Sequence, residues 1–393
     1  MGSNLLWSLN FLGAGLVGYI IPFLLVLTIV VFFHELGHFL IARACGIRVL
    51  VFSIGFGPEL VGWTDRHGTR WKISAIPLGG YVKFFGDENA ASVPDASAIA
   101  QMSDSEREVS FFHQPVAARA AVVAAGPLAN FVLAIVIFAG IFSVYGKESI
   151  TARVATVQPG SAAEAAGFQP GDVVVSIDGR PIESFGELQR VVVTSPGKPL
   201  KFEVERKGGE LKTLTATPVL SEVKDGFGNV HRQGMLGVTR APVGQGESAV
   251  KPVDPLTALK LGVHETWFVI DSSLSYLGRV VIGRESADQL GGPGRIAQIA
   301  GQVWQGGMSH GGIGGGLIAI IQLAAVLSVS IGLLNLFPIP LLDGGHLLFY
   351  AVEAVRGRPL SERAQELGFR IGLAVVVMLM IFATYNDILH WTS

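Results

Sequence analysis

The chain has 393 residues and a formal net charge of −2; 50% of its residues are hydrophobic and 15% charged. A soluble domain carries about 25% charged residues, so a soluble enzyme and a disordered chain are excluded, and no basic stripe of the kind that grips nucleic acid is present. The single cysteine, Cys45, excludes an internal disulfide and a cysteine-based metal cluster.

Taken in chain order, Met1 to Phe33 contain no charged residue. A bilayer core is crossed by about 20 apolar residues as helix. The segment lacks the positive start of a cleaved signal and is read as a retained membrane helix. Similar runs predict four spans in all, at about 19–42, 116–145, 317–337 and 367–389. Within 46–115, Val49-Leu50-Val51-Phe52 and Trp71-Lys72-Ile73-Ser74 are β-formers on either side of an Asp65-Arg66-His67-Gly68 turn signal, so 46–86 is expected as strands. Residues 87–110 read as a polar surface loop.

Residues 146–222 differ in kind, with short alternating strands such as Lys201-Phe202-Glu203-Val204-Glu205 between glycine turns. In 159–192 a small helix, a Gly171-Asp172 turn, a strand to Ile177, an Asp178-Gly179 turn and a second helix follow one another. That order resembles a PDZ domain, which holds extended peptides by strand addition; a small β-rich domain without ligand affinity is the alternative. Residues 223–254 are expected as a linker. In 255–284, Leu256, Leu259, Val263, Trp267, Ile270, Leu274, Leu277 and Val281 recur at three- and four-residue steps, one apolar stripe on a long helix. Lys260, His264, Glu265, Asp271 and Arg279 make it too polar to span, so it lies at the membrane surface or docks on the external domain. Residues 291–316 hold eleven glycines in 26 positions, and glycine destabilises a helix interior. Hence 285–316 is expected as a flexible, non-helical re-entry into a third span at 317–346, followed by a loop and a fourth span in 347–393.

Lysine and arginine set the orientation. The segment between the first two spans carries Arg43, Arg48, Arg66, Arg70, Lys72, Lys83, Arg107 and Arg119, and that between the last two carries Arg356, Arg358, Arg363 and Arg370. Both are expected in the cytoplasm, with the termini and 146–316 outside. The fold class is therefore a polytopic α-helical membrane protein with a cytoplasmic β region and an inserted external PDZ-like α+β domain.

The chemistry concentrates at His34-Glu35-Leu36-Gly37-His38, at the cytoplasmic end of the first span. Residues four apart share a helix face, so both imidazoles reach one ion, and Glu35 stands beside the first ligand to handle a water there. The alternative is chance, but ionisable groups at a bilayer are costly and usually mark function. A catalytic zinc takes three protein ligands and leaves a position open. Asp343, in Asn335-Leu336-Phe337-Pro338-Ile339-Pro340-Leu341-Leu342-Asp343-Gly344-Gly345-His346, supplies the third candidate. Alone it could be a helix cap or a turn aspartate; its membrane depth, matched to the histidine pair, makes it the preferred ligand. Pro338 and Pro340 break the helix there. His346 is a neighbour or a substituting ligand.

These motifs, with Gly126-Pro127-Leu128-Ala129-Asn130 in the second span, the stretch Ile76–Phe84 and Gly292-Pro293, resemble the site-2 protease family of intramembrane zinc metalloproteases. The likeness is to the bacterial branch that releases sigma factors from membrane-bound anti-sigma proteins. Members often carry two external PDZ domains; this chain has one recognisable copy. The resemblance implies Zn2+ held by His34, His38 and Asp343, with Glu35 as acid and base. It implies that Asn335 holds substrate near the metal and that Gly126, Pro127 and Asn130 pack or shape the site, although Gly126-Pro127 can be read simply as a helix kink. By the same resemblance 46–86 forms a membrane-associated hairpin presenting substrate as an added strand. The substrate is then a transmembrane protein, an anti-sigma factor trimmed first by another protease, and the location is the bacterial inner membrane. A membrane-tethered PDZ scaffold with a non-catalytic metal site is the rival reading; a transporter is disfavoured because the spans show no internal duplication.

Overall fold

The computed structural model describes residues 16–86, 101–148, 151–224, 230–240, 250–283, 287 and 291–392. Among the described residues, four helices are long and apolar enough to cross a membrane, over Gly18–Ala44, Val116–Tyr145, Pro293–Asn335 and Arg363–Leu389. The chain divides into two compact units, one of Met1–Phe138, Gly262–Ser273 and Ser286–Ser393, the other of Ala139–Leu261 and Leu274–Glu285.

In the first unit, a π-helical turn at Leu16–Ile20 leads into α1 (Ile21–Ala44). Strands β1 (Val49–Thr64) and β2 (Arg70–Phe84) form an antiparallel hairpin, with Trp63 opposite Trp71 near the turn and Val49 opposite Phe84 at the open end. The further neighbours Phe52↔Trp71 and Ile54↔Ile73 show that the hairpin doubles back on itself. Trp71 is the hub of that fold. It stacks on Phe52 at 4.3 Å and on Trp63 at 6.0 Å and meets Phe39 of α1 edge-on at 4.9 Å.

Of the expected polar loop at 87–110, residues 87–100 lie outside the described residues. Asp104–Val109 is instead a short helix, α2, started by a capping box between Ser103 and Glu106. The second span is α3 (Val116–Tyr145), which carries Pro127 inside it.

The second unit holds β3 (Lys147–Glu148), β4 (Val154–Val157), α4 (Ala162–Ala166), β5 (Val173–Ile177), β6 (Arg180–Pro181), α5 (Phe185–Val193), β7 (Leu200–Glu205) and β8 (Leu211–Ala216). Strands β6, β5, β7 and β8 make a four-stranded sheet in that order. In β7, Leu200, Phe202 and Val204 are buried while Lys201, Glu203 and Glu205 are exposed, the alternation of a sheet with one wet face. Ser161 and Ser184 cap α4 and α5 by accepting from the Glu164 and Glu187 N–H groups.

The expected linker at 223–254 is corrected in its described part. Strands β9 (Val219–Lys224) and β10 (Val230–Met235) pair with each other, β11 (Val238–Arg240) pairs with β4, and β12 (Val250–Lys251) pairs with β3. The cause is visible at Leu236, whose buried side chain belongs to the same core as Phe202 and Leu188. The amphipathic helix appears as α6 (Pro255–Val281), capped by Asp254, which accepts from the Leu256 and Thr257 N–H groups. Its stripe residues Leu256, Leu259, Val263, Trp267 and Leu274 are exposed.

The glycine-rich stretch also departs from expectation, because it is helical. α7 (Pro293–Asn335) joins two helical arms across Gly311 and Gly312, and Gly312 has φ 58 and ψ −152, a conformation open essentially to glycine alone. The arms fold onto each other. A Cβ on Gly307 would stand 2.5 Å from the Gly315 carbonyl oxygen, whereas a straight helix would hold those residues about 12 Å apart. The glycine count therefore records close backbone approach, which offsets the propensity penalty.

The third span ends at Asn335, against the 337 expected, and the motif up to His346 lies beyond it. Residues 336–342 form a turn through Pro338 and Pro340, and Asp343 opens a separate helix, α8 (Asp343–Arg356), closed by left-handed Gly357. α9 (Glu362–Thr392) completes the fold. Near its end the buried Asp387 accepts from the N–H groups of Gly292, Gly294 and Arg295 at 2.8–3.2 Å. It thereby satisfies the open donors at the start of α7.

Candidate metal centre

One turn of α1 separates His34 from His38, and their rings meet edge to face with centroids 4.8 Å apart. Their Nε2 atoms are 3.2 Å apart. Asp343, on the first turn of α8, brings Oδ2 to 3.2 Å from His34 Nε2 and 3.6 Å from His38 Nε2. A tetrahedral zinc with bonds of about 2.0–2.1 Å needs donor–donor edges of roughly 3.3–3.4 Å. The three observed edges bracket that value.

The donor arrangement suits a cation there. His38 Nδ1 donates to the Val122 carbonyl oxygen at 2.9 Å, so in the neutral ring Nε2 carries a bare lone pair. His34 Nδ1 lies 3.3 Å from the side-chain amide of Asn130, whose Oδ1 is buried and without a hydrogen-bond partner. With the Asn130 amide turned so that its oxygen faces the ring, His34 Nδ1–H donates to that oxygen and His34 Nε2 is bared as well. Asp343 Oδ2 is likewise buried with no hydrogen-bond partner among the described residues. With both rings in these tautomers, three lone-pair donors face one point, an arrangement that a positive ion at their centre would satisfy. His34, His38 and Asp343 also form the one group of three or more ionisable side chains, among the described residues, whose geometry can hold a metal ion.

The other residues singled out from the sequence fall around this triangle. A Cβ on Gly126 would stand 2.5 Å from His38 Cε1 and 2.9 Å from His34 Cε1, so any side chain there would displace both imidazoles. Pro127 is buried beside it in α3. Its backbone faces α7, where a Cβ on Gly332 would come within 3.1 Å of the Pro127 carbonyl oxygen. Asn130 is fully buried and its carbonyl oxygen accepts from Ser328 Oγ of α7 at 2.9 Å. Glu35 accepts the Val82 N–H of β2. Gly80 stands over it, with a built Cβ 3.2 Å from Glu35 Cγ.

Two residues stay apart from the triangle. Asn335 is the half-buried last residue of α7, with no side-chain hydrogen bond among the described residues. His346 packs its ring against Phe369 at 5.3 Å and is not a member of the metal group.

Sequence reasoning missed Arg119, Glu353 and Tyr350. The Arg119 guanidinium donates to Glu353 Oε1 at 2.6 Å and lies over the Tyr350 ring at 4.9 Å, tying the start of α3 to the helix that begins with Asp343. In the sequence Arg119 bears only on orientation. A buried partner far along the chain leaves no local signal.

Residues 22–379 match the model of Peptidase family M50. A relative from Agrobacterium fabrum that carries a zinc metalloprotease name is 53% identical over 373 residues, covering 95% of this chain and 96% of its own length. One from Rhizobium meliloti, named likewise, is 51% identical over 374 residues, covering 95% and 97%. Metalloprotease MmpA of Caulobacter vibrioides is 44% identical over 382 residues, covering 94% and 95%. With a zinc-shaped donor set and this likeness over nearly its whole length, the chain belongs to the M50, or site-2 protease, family of zinc metalloproteases.

Proposed function

We propose that this protease cuts single-span membrane proteins of the anti-sigma-factor type within their membrane segment, at the cytoplasmic margin of the bacterial inner membrane. The observation that carries the reading is the donor triangle itself. It is assembled from the end of one apolar helix and the turn that follows another, so a peptide bond reaching it must come from a segment at membrane depth. Zinc held there supplies a Lewis acid that activates water and polarises the scissile carbonyl.

The chain's own residues do the rest. Glu35 takes the proton of the attacking water on its carboxylate and delivers it to the leaving amide nitrogen. A transmembrane helix hides its carbonyls in internal hydrogen bonds, so the substrate is unwound before attack. The hairpin of β1 and β2, whose Gly80 and Val82 flank Glu35, offers an edge that replaces those bonds. Asn335 steadies the unwound strand. The external unit acts as a PDZ-like filter that admits substrates only after a first protease has removed their outer domain, and the basic segments between spans keep the site on the cytoplasmic side.

The test is Glu35→Gln in the full-length protein, reconstituted with a trimmed single-span substrate. Zinc content should stay at the wild-type level while cleavage falls on the order of 10²–10⁴-fold. Undiminished turnover removes Glu35 from the mechanism, and cleavage confined to soluble peptides removes the membrane substrate.

A further inference from the structure

The turn that carries Asp343 has little slack. Between α7 and α8 the Leu342 N–H bonds back to the Ile339 carbonyl at 2.9 Å and the Gly345 N–H to Leu342 at 3.0 Å. Leu341 sits at φ 119, a region that a residue with a Cβ enters only when its surroundings force it. On the inner side Gly344 is pressed against the Leu336 and Phe337 carbonyls.

The outer side of the turn is closed by α9. A Cβ built on Gly372 would overlap the Pro340 carbonyl oxygen, and would stand 3.1 Å from Pro340 Cα. One turn earlier, a Cβ on Gly368 would reach 2.9 Å from Phe349 Cζ but only 3.7 Å from Pro340 Cγ. Elsewhere on the same helix Leu373, Met378 and Ile381 are all more than half exposed. Backbone meets backbone at Gly372 and Pro340, so neither side can yield by turning a side chain.

We infer that Gly372 is a positioning residue for the metal centre. The bare backbone of the fourth span is the outer wall of the Pro340–Leu341 turn, and it fixes the Asp343 carboxylate at the distance both imidazoles require. Any side chain at 372 pushes Pro340 inward and swings Asp343, three residues on, off the triangle. Displacements of about 1 Å at such a site are enough to cost on the order of 10²-fold in function. The inference rests on the metal reading of His34, His38 and Asp343.

The test compares Gly372→Ala with wild type and with Gly140→Ala, a span glycine with open space around it. Full-length proteins in detergent are titrated with zinc against a chelator, loaded with cobalt(II) for its visible spectrum, and melted in the metal-free state. The overlap with Pro340 offsets alanine's better helix propensity, so the metal-free Gly372→Ala protein should still melt cooperatively, at or modestly below the wild-type temperature. Its zinc affinity should drop about 10–100-fold, the size seen when a ligand's support is lost, and its cobalt bands should shift. Gly140→Ala should match wild type in all three. Wild-type zinc affinity and cobalt bands in Gly372→Ala overturn the inference while leaving the metal reading intact; a wild-type protein that binds no zinc overturns both. Should Gly372→Ala not accumulate, hydrogen exchange on wild type decides. Zinc should slow exchange in both 336–343 and 368–376, and slowing confined to the first segment overturns the inference.

Discussion

At the metal centre each imidazole has one nitrogen assigned by the protein, so the other is free to face the ion. For His38 the partner is a backbone carbonyl, which no substitution removes. For His34 it is Asn130, and here the structure is exposed to test. Asn130→Leu keeps the bulk but leaves His34 Nδ1 unpaired, and zinc affinity should fall about 10–100-fold, read by chelator competition. Unchanged affinity would mean that the His34 ring is oriented by packing alone. The histidine pair and Glu35 were legible in the sequence because helical periodicity places them by spacing alone. Asp343 was legible only through its depth at the end of an apolar run. Asn130 and Gly126 were marked as site-shaping only by the resemblance, and what each touches was not legible. Both act across a helix–helix contact, and a glycine that clears room for two imidazoles looks, in sequence, like a glycine that bends a helix.

At the scale of elements, local propensity misled where backbones touch. Eleven glycines in 26 residues argued against a helix, yet α7 uses them to fold two arms together. The same blindness hid α8, which had been merged into a span and a loop. That short helix is held at both ends, by the Asp343 turn at its start and by Glu353 three turns later. The Arg119–Glu353 pair is well buried, with side-chain exposures of 11% and 13%. Removing one partner of such a pair strands the other charge and typically costs about 3–5 kcal/mol. Arg119→Met should therefore lower unfolding stability by about that amount, and Arg119→Met with Glu353→Leu should recover most of it. Equal stability of single and double variants, measured by denaturant titration in detergent, would show that the ion pair is idle.

Across the whole molecule, hydropathy and charge located the four apolar helices and the change to an α+β unit, because both are long, periodic signals. The reach of that unit was misjudged. Residues 230–240, read as linker, place Leu236 in its core and a strand against β4, and pairing between distant strands has no signature in either strand by itself. Orientation is the expectation that binds the account to a cellular side. A reporter active only outside the cytoplasm, fused after Gly86, should be silent, whereas the same reporter within 151–219 should be active; the reverse pattern would turn the site to the other face. The central claim is that side chains from two ends of the chain close around one ion. Diffraction or electron-microscopy data from the zinc-loaded protein, with anomalous scattering collected across the zinc edge where crystals allow, test it most directly. One zinc peak within bonding distance of His34 Nε2, His38 Nε2 and the Asp343 carboxylate is the expected result. A peak that leaves Asp343 outside its coordination sphere, or no peak between the two imidazoles, would contradict it.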